Sequence, residues 1–314
     1  MIELLSEGII ISILAATIRI ASPLILAALG ELICERGGVV NLSIEGMMYM
    51  GAFVGFFITW KTESPITGIL AGAVSGMLVS LIMAFMVVTL KLKQFVTGLA
   101  INLLSAGLVV FWYRLFGLSS GKDVISIKIL QTIKIPFLSE IPYLGKIAFE
   151  QNIVTYFTYL MVLVVWYFLY RTKFGLELRC LGENPASIDM KGLRVEIRQY
   201  CAVLFGGLMA GMAGAFLSAG SSFRFVPGMT AGRGWLVIVI VIAGNWNPKL
   251  IMMAAMLFAL LDAFQLHVQA IGINFPYQIL LALPYVVAIL AVMFSRSKSN
   301  APAHAGIPYI RECS

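Results

Sequence analysis

The sequence predicts an all-α polytopic membrane protein, and three observations support that prediction. Hydrophobic residues make up 60% of the 314 residues and charged residues only 12%, about half the charged share of a soluble domain. The mean hydropathy is +0.95. Because about 20 apolar residues span the hydrocarbon core of a bilayer, the apolar stretches indicate about nine transmembrane helices, within a range of about eight to ten. We expect a single membrane domain over residues 1–314.

The predicted spans follow the apolar runs, and two of them are short or broken. Residues 37–52 combine glycines, an amide and a carboxylate with a hydrophobic run, and residues 234–246 are brief for a straight crossing. Broken helices are tolerated in a membrane only where the freed backbone groups face protein or a watery cavity, so the two interruptions hint at an internal repeat beside a translocation path. The spans lie near residues 9–29, 42–60, 66–90, 95–116, 152–170, 199–219, 234–246, 249–268 and 277–294.

Small residues spaced by four predict close contacts between helices. Gly68, Gly72 and Gly76 share a face of one predicted span, and Gly207 and Gly211 share a face of another. In lipid, such faces let helix backbones approach closely. We expect them to pack helices within one subunit rather than to form a dimer interface.

The basic residues set the expected orientation. If the spans alternate, one side of the membrane receives 13 Lys and Arg residues and the other side seven, and the positive-inside rule places the richer side in the cytoplasm. The N-terminus is then outside, and the tail 295–314 and the loop 171–198 are cytoplasmic. The outer loop 117–151 alternates β-branched and polar residues, so it is expected either to be irregular or to form a short strand pair with an interfacial helix.

Several functional classes are disfavoured. The cysteines are scattered without CxxC spacing and there are two histidines, so the sequence predicts neither a metal site nor a disulfide framework. The net charge of +7 is typical of basic cytoplasmic loops, and we expect no nucleic-acid binding. No GxxxxGK[ST] phosphate loop is present, and the string "GLSSGKD" has the wrong spacing. We therefore expect no cofactor on this chain.

The loop 171–198 is solvated and is expected to contain a short helix. It carries six basic and four acidic residues. Asn184 and Pro185 interrupt the chain, and "PASIDMKGL" predicts a short helix with Pro185 at its start and Gly192 near its end. A short helix that projects from the bundle needs a surface on which to dock, whereas an ordinary connector would need fewer residues.

Four stretches of the sequence resemble a known family. "LGENPASIDMKGL" resembles the coupling-loop motif of permease subunits of bacterial ABC importers, in the branch that includes branched-chain amino acid and ribose permeases. "GELICERGGVVNLSIEGMMYMGAF", "TAGRGWLVIVIVIAGNWNP" and "HAGIPYIRE" resemble the narrower group of nucleoside-type importers. The resemblance runs from about residue 28 to residue 312, with the motifs in the expected order.

The resemblance implies an importer assembled from several chains in the bacterial cytoplasmic (inner) membrane. The implied partners are an ABC ATPase that binds ATP and Mg²⁺, a second related permease subunit in a heterodimer, an extracytoplasmic substrate-binding lipoprotein and membrane lipid. The implied solute is a nucleoside, with riboflavin, a sugar or another small solute as alternatives, because fold does not fix ligand. The residues implied to couple to the ATPase are Glu183, Asn184, Pro185, Ala186 and Gly192.

The stretch 30–53 places charged residues directly against apolar sequence and supplies the first candidates for a translocation path or gate. Asn41 and Glu45 are four residues apart, so they would share a face if the chain were helical there. A carboxylate at membrane depth is costly unless it is paired or faces water. This face would line the path, brace a gate, or bond the broken backbone through Asn41.

Four further polar residues are candidates for the same path. Asp262 and Gln265 share a face of one predicted span and could offer acceptors and an amide to ribose hydroxyls or a purine edge, or could tie spans together. Asn102 lies within an earlier predicted span, and Arg233 lies near the outer end of the short span.

Two other function classes compete with a permease subunit. A secondary ion-coupled transporter would use Glu45 and Asp262 as carboxylates of a coupling site, but the long loop with its broken helix argues against it. A membrane enzyme is the least favoured class, because it would need a converging nucleophile, acid and base, or a metal. We therefore expect a transport subunit that is not an enzyme, with ATP hydrolysis on a separate ATPase subunit.

Overall fold

The computed structural model describes residues 7–118, 126–134, 139, 144–270, 282–287, 289–290, 293 and 300–310. In chain order the helices are α1 (Glu7–Arg36), α2 (Ile44–Thr62), α3 (Pro65–Ala84), α4 (Gln94–Leu115), α5 (Leu144–Ala148), α6 (Ile153–Arg171), α7 (Lys173–Glu183), α8 (Pro185–Asp189), α9 (Val195–Ala215), α10 (Arg233–Ala243) and α11 (Pro248–Ala270). Residues 282–287 are also helical. π-Helical turns, Phe85–Thr89 and Phe216–Gly220, extend α3 and α9. The strands are β1 (Thr132–Lys134) and β2 (Glu150–Asn152).

Six of the described helices are long and apolar enough to cross a membrane, which agrees with the predicted all-α polytopic fold. They are Gly8–Arg36, Pro65–Thr89, Gln94–Leu115, Ile153–Arg171, Val195–Gly220 and Pro248–Ala270. The predicted number of about nine spans is not confirmed. The predicted spans at 42–60 and 234–246 correspond to α2, which carries Glu45 and Lys61, and to α10, which has only 11 residues. The predicted span at 277–294 lies largely outside the described residues.

Two contacts at opposite ends of α1 show that α1 and α11 run antiparallel. Near the start of α1, the Ser12 hydroxyl hydrogen-bonds the His267 ring near the end of α11, with 3.0 Å between the two atoms. At the end of α1, Arg36 donates to the carbonyl of Trp246, just before α11 begins, at 3.1 Å. Arg36 also lies 4.0 Å from Glu183 at the end of α7. We call the end of the bundle that contains Arg36, Trp246 and α8 the junction end.

Small residues pack α3 directly against α9. A Cβ atom added to Gly76 would lie 2.5 Å from the Cα of Gly211, and one added to Gly72 would lie 2.5 Å from the Cβ of Ala215. In lipid, such close approach supplies the van der Waals contact that holds helices together. The predicted packing of small residues inside one subunit is confirmed.

The end of α1 is a correction to the sequence analysis, which ended the first predicted span near residue 29 and began the next near residue 42. The helix continues to Arg36, because Leu29, Leu32 and Ile33 are buried and the neighbouring polar side chains find partners inside the protein. The connection to α2 begins only at Gly37, and Gly38 adopts a left-handed conformation with φ of +82°.

The two solvated loops contain regular structure. Besides the expected α8, the loop 171–198 contains a helix that the sequence analysis did not predict, α7, which buries Leu178 and Leu181 and is capped at its start by the Thr172 hydroxyl. In the outer loop, β1 and β2 pair antiparallel, with Ile133 opposite Gln151, and α5 precedes β2. Of the two predicted alternatives, the structure shows the strand pair with a short helix.

We expect Gly76→Ala to lower the free energy of unfolding by about 1–3 kcal/mol, because the added methyl group would overlap the backbone of α9. The matched control is Gly107→Ala in α4, where an added Cβ meets no atom within 4 Å, so the change should be neutral or stabilise by about 0.5–1 kcal/mol. Thermal denaturation of the purified protein in detergent would compare the two. Equal stability of both variants would contradict the packing of α3 on α9.

Candidate functional site

The start of α2 lies inside the bundle and is held by two asparagines. Asn102 lies in α4 about 12 Å along the helix axis from Gln94. Its amide nitrogen donates to the carbonyl of Leu42 at 2.7 Å, and its amide oxygen accepts from the backbone N–H of Gly46 at 2.7 Å. The side-chain oxygen of Asn41 accepts from the backbone N–H of Ser43 at 3.1 Å and from its hydroxyl at 2.6 Å. Both asparagines therefore satisfy the interrupted backbone.

Asn41 and Glu45 do not share a helix face, because the condition for it, a helix over both residues, is not met: α2 begins only at Ile44. Asn41 precedes the helix, and its side chain bonds within the connection. Its backbone N–H donates to the carboxylate of Glu31 at 2.9 Å. The i to i+4 spacing predicts a common face only where both residues are helical.

The carboxylate of Glu45 joins the starts of two helices. Glu45 lies in the first turn of α2, and its two oxygens accept from the backbone N–H groups of Gly232 at 3.1 Å and Gly234 at 2.6 Å, at the start of α10. The first N–H groups of a helix have no partner within the helix, and the helix dipole favours a negative charge there. A Cβ atom on Gly234 would lie 2.5 Å from the Cα of Glu45, so only glycine permits this approach.

A polar cavity of about 160 Å³ lies beside this contact, at the start of α10. Its polar lining comes from Arg233, Asp262, Gln265 and Tyr285. The Arg233 guanidinium interacts electrostatically with the Asp262 carboxylate and donates to a backbone carbonyl at 3.1 Å. Asp262 lies about 21 Å along α11 from its start, so the cavity lies within the membrane-length part of the chain. Three of the six predicted path residues thus line one cavity.

The other three predicted path residues do not line this cavity. Asn41 and Asn102 bond the backbone around α2. Glu45 lies behind the cavity wall, because Gly232 lines the cavity and donates its N–H to the Glu45 carboxylate. Tyr285 is a cavity residue that the sequence analysis missed, since a tyrosine in an apolar run carries no distinguishing local pattern.

A second polar cluster at the junction end was also missed as a group. Glu31, Glu35 and Arg36 are all more than nine-tenths buried. The Trp246 indole N–H donates to the Glu35 carboxylate, and the Trp246 backbone carbonyl accepts from Arg36 at 3.1 Å. The cluster ties the end of α1 to the turn between α10 and α11. The available signal was the spacing of two glutamates by four residues beside an arginine.

The short helix α8 forms as the sequence predicts. The Asn184 side chain accepts from the Ala186 N–H at 3.1 Å and caps the helix, and Pro185 occupies its first turn. Gly192 follows with φ of +74°. The Glu183 carboxylate accepts from the backbone N–H of Ala303 at 3.3 Å. The five predicted coupling residues therefore lie close together at the junction end, where four are exposed and Pro185 is buried.

A larger cavity of about 460 Å³ lies among α1, α6, α7 and α9, and its lining is almost entirely apolar. At its margin, Arg198 donates to Glu177 through two nitrogens at 2.9 and 2.6 Å. Because its charged groups bond each other, this cavity is a poorer site for a polar solute than the cavity at Arg233. Among the described residues, no group of three or more His, Cys, Asp or Glu could hold a metal ion.

Membrane-length helices, two helix starts inside the bundle and a polar cavity beside them define a membrane transport protein. Residues 13–294 match the family described as branched-chain amino acid transport system / permease component. The chain therefore belongs to this family of transport permeases.

Similar curated proteins are permeases of ABC transporters. The putative glucose ABC transporter permease protein TsgC13 of Haloferax volcanii is 41% identical over 83% of this chain and 79% of its own length. The nucleoside ABC transporter permease protein NupC of Lactococcus lactis subsp. cremoris is 34% identical, over 95% of this chain and 96% of its own. The guanosine ABC transporter permease protein NupQ of Bacillus subtilis is 32% identical over the same shares. No solved structure matches the chain.

These relatives confirm the expected function as the permease subunit of an ABC transporter, and they support neither a secondary transporter nor a membrane enzyme.

We expect Glu45→Gln to destabilise the protein by about 1–3 kcal/mol, because the amide offers one acceptor oxygen where two N–H groups now share a carboxylate. The control is Glu63→Gln, which removes the charge of an exposed carboxylate bonded to Lys128 and should change stability little. Thermal denaturation in detergent measures both. A variant at Glu45 as stable as the control would show that this carboxylate does not hold α10.

Proposed function

We propose that this chain is a nucleoside-conducting permease subunit of an ABC importer in the bacterial cytoplasmic membrane. The observation that carries the proposal is the convergence of Arg233, Asp262, Gln265 and Tyr285 on one cavity beside a membrane-length helix. The nucleoside and guanosine permeases similar to the chain over nearly its whole length support this solute class.

The cavity offers the groups that a nucleoside requires. The Asp262 carboxylate accepts hydrogen bonds from ribose hydroxyls, and the Gln265 amide both donates to and accepts from a purine edge. Arg233 donates to carbonyl oxygens, and the Tyr285 ring provides a surface for a base. Leu266 and Tyr285 are about half exposed, so the cavity opens on one side, where a second, related permease subunit would complete the path.

A sugar is the second candidate solute. The observation that favours it is the 41% identity to the putative glucose permease of Haloferax volcanii. Hydroxyl groups of a hexose and of a ribose need the same acceptors, so the cavity chemistry accommodates both. Two observations favour the nucleoside. The aromatic ring of Tyr285 lies at the cavity margin. The similarity to the nucleoside and guanosine permeases extends over more of this chain than the similarity to the glucose permease.

In this proposal the junction end faces the cytoplasm and α8 docks on a separate ATPase, which binds ATP and Mg²⁺. Met190 directly after α8 is 82% exposed, whereas Pro185 and Ile188 are buried against the bundle. α8 therefore offers one face to a partner and the other to this chain. Movement of α8 would shift the balance between outward-open and inward-open states through α6 and α9. A substrate-binding lipoprotein would deliver solute to the opposite side.

The importer is tested by reconstituting the chain with the ATPase, partner permease and binding protein encoded beside it. Uptake of labelled guanosine, adenosine, ribose, glucose and riboflavin is measured with and without ATP. We expect ATP-dependent uptake of nucleosides, and Asp262→Asn should raise KM for guanosine about tenfold by removing a charged acceptor.

The matched control is Gln269→Ala, on the same helix but exposed and outside the cavity lining, which should leave KM unchanged. If glucose is the one labelled solute taken up with ATP, the solute is a sugar and the proposed nucleoside is wrong. Uptake by this chain alone, driven by an ion gradient without ATP, would refute the proposed importer. An unchanged KM for guanosine in Asp262→Asn would show that the transported solute does not bind in this cavity.

We expect Glu183→Lys and Pro185→Ala to uncouple transport from ATP hydrolysis. The first places two cations together, because Glu183 lies 4.0 Å from Arg36, and the second removes the buried proline that begins α8. Substrate-stimulated ATPase activity should fall at least about tenfold at normal membrane abundance. Lys93→Glu, an exposed charge reversal between α3 and α4, is the control. Normal substrate-stimulated ATPase activity in both variants would show that α8 does not couple the ATPase to transport.

A further inference from the structure

The tail segment 300–310 crosses the junction end and bonds four separate parts of the chain. Its backbone N–H groups donate to the α10–α11 turn, to the end of α7 and to the α1–α2 connection. One side chain reaches the end of α8. The bonds are Asn300 N to Asn245 Oδ1 at 2.7 Å, Ala303 N to Glu183 Oε2 at 3.3 Å, His304 N to Gly182 O at 2.8 Å, Gly306 N to Gly38 O at 3.3 Å, and Tyr309 Oη to Asp189 Oδ2 at 3.0 Å.

The segment fits its position closely. Pro302 is buried, and a Cβ atom on Gly182 would lie 3.0 Å from the Pro302 Cβ and 2.5 Å from the carbonyl oxygen of Arg36. Gly306 has φ of +84° and bonds the connection that follows α1. An irregular segment holds one conformation only when other elements satisfy its backbone groups, and here the partners come from elements far apart in sequence.

The tail lies between the partner-facing helix and the helix that carries the cavity. At one end of the tail, Tyr309 bonds Asp189, the last residue of α8. At the other end, Asn300 bonds Asn245, two residues after the last residue of α10. α10 has 11 residues, about 16 Å, and its first residue is Arg233 of the polar cavity. A displacement of α8 that carries the tail with it therefore pulls on the rigid helix that ends in the cavity.

We propose that residues 300–310 are a mechanical tie between α8 and α10, with Tyr309 and Asn245 as its positioning residues. The tie rests on the proposed function in one respect, because the ATPase supplies the displacement of α8. The tie adds a second route by which movement of α8 reaches the rest of the chain, besides the proposed route through α6 and α9. Through this route, nucleotide-driven movement reaches Arg233 and Asp262 without passing along a membrane-length helix.

The experiment uses the complete reconstituted importer and two kinds of variant. Asn245→Gly removes the acceptor for the Asn300 N–H, and glycine tolerates the φ of 48° at this position. Asn245→Asp keeps an acceptor oxygen and serves as the rescue. Tyr309→Phe removes only the hydroxyl that bonds Asp189. Its matched control is Tyr200→Phe, which removes a hydroxyl bonded to Thr89 outside the tail.

Two measurements test the tie, and the second does not depend on which solute the importer carries. The first is the number of solute molecules transported per ATP hydrolysed. The second is the ATP-dependent change in amide hydrogen exchange of the peptide around Gly232 and Arg233, which needs no solute. We expect Asn245→Gly and Tyr309→Phe to lower the transport ratio about two- to tenfold, as expected for losing one hydrogen bond, and to abolish the exchange change. Asn245→Asp and Tyr200→Phe should match the wild type in both.

The outcomes distinguish the tie from the proposed function. Wild-type values of both readouts in Asn245→Gly and Tyr309→Phe would overturn the tie. Equal losses in Asn245→Gly and Asn245→Asp would also overturn it, because the acceptor would then be irrelevant. If the wild-type complex carries no nucleoside, the proposed solute fails, and the exchange readout still decides the tie.

Discussion

The carboxylate of Glu45 is the interaction on which the interior of this permease depends. Two helices begin inside the bundle, and each leaves backbone N–H groups that the helix itself cannot satisfy. Glu45 lies in the first turn of α2 and accepts two N–H groups at the start of α10, so its carboxylate joins the two helix starts, while Asn102 accepts the Gly46 N–H of α2. In a membrane each unsatisfied group would cost several kcal/mol. The start of α10 therefore depends on the position of α2, and the cavity depends on both.

The polar groups of the interior divide into two sets with different partners. Asn41, Asn102 and Glu45 accept hydrogen bonds from, or donate them to, backbone groups at the starts of α2 and α10, and they do not line the cavity. Arg233 and Asp262 instead line the cavity on the other side of the α10 start. Gly232 connects the two sets, because its N–H binds Glu45 while the residue itself lines the cavity. The residues proposed to bind solute and those that hold the broken helices are thus adjacent but separate.

The sequence predicted those features whose causes are local. The apolar runs located the long helices within a few residues, and Asn184 with Pro185 located the start of α8, because capping acts over two or three positions. The end of α1 was misplaced because the partners of Glu35 and Arg36 are at Trp246, more than 200 residues away. The amphipathic helix α7 was missed because its charges resembled those of a solvated loop. Tertiary contacts decided each of these cases.

α10 connects the cavity to the junction end over a short distance, so a rigid movement of this helix displaces groups at both places. A helix of 11 residues and the turn that follows it join the cavity at Arg233 to the buried cluster of Glu35, Arg36 and Trp246. The turn is hydrogen-bonded back onto the end of α10, since Trp246 N donates to the carbonyl of Val241 at 3.3 Å. A tilt at one end is a tilt at the other. If movement at the junction end changes the affinity of the cavity for solute, thermodynamic linkage requires that solute in the cavity change the preferred position of the junction end by the same free energy. In the proposed importer, substrate stimulation of the partner ATPase would follow from this reciprocity, because solute in the cavity would bias the surface on which that ATPase docks.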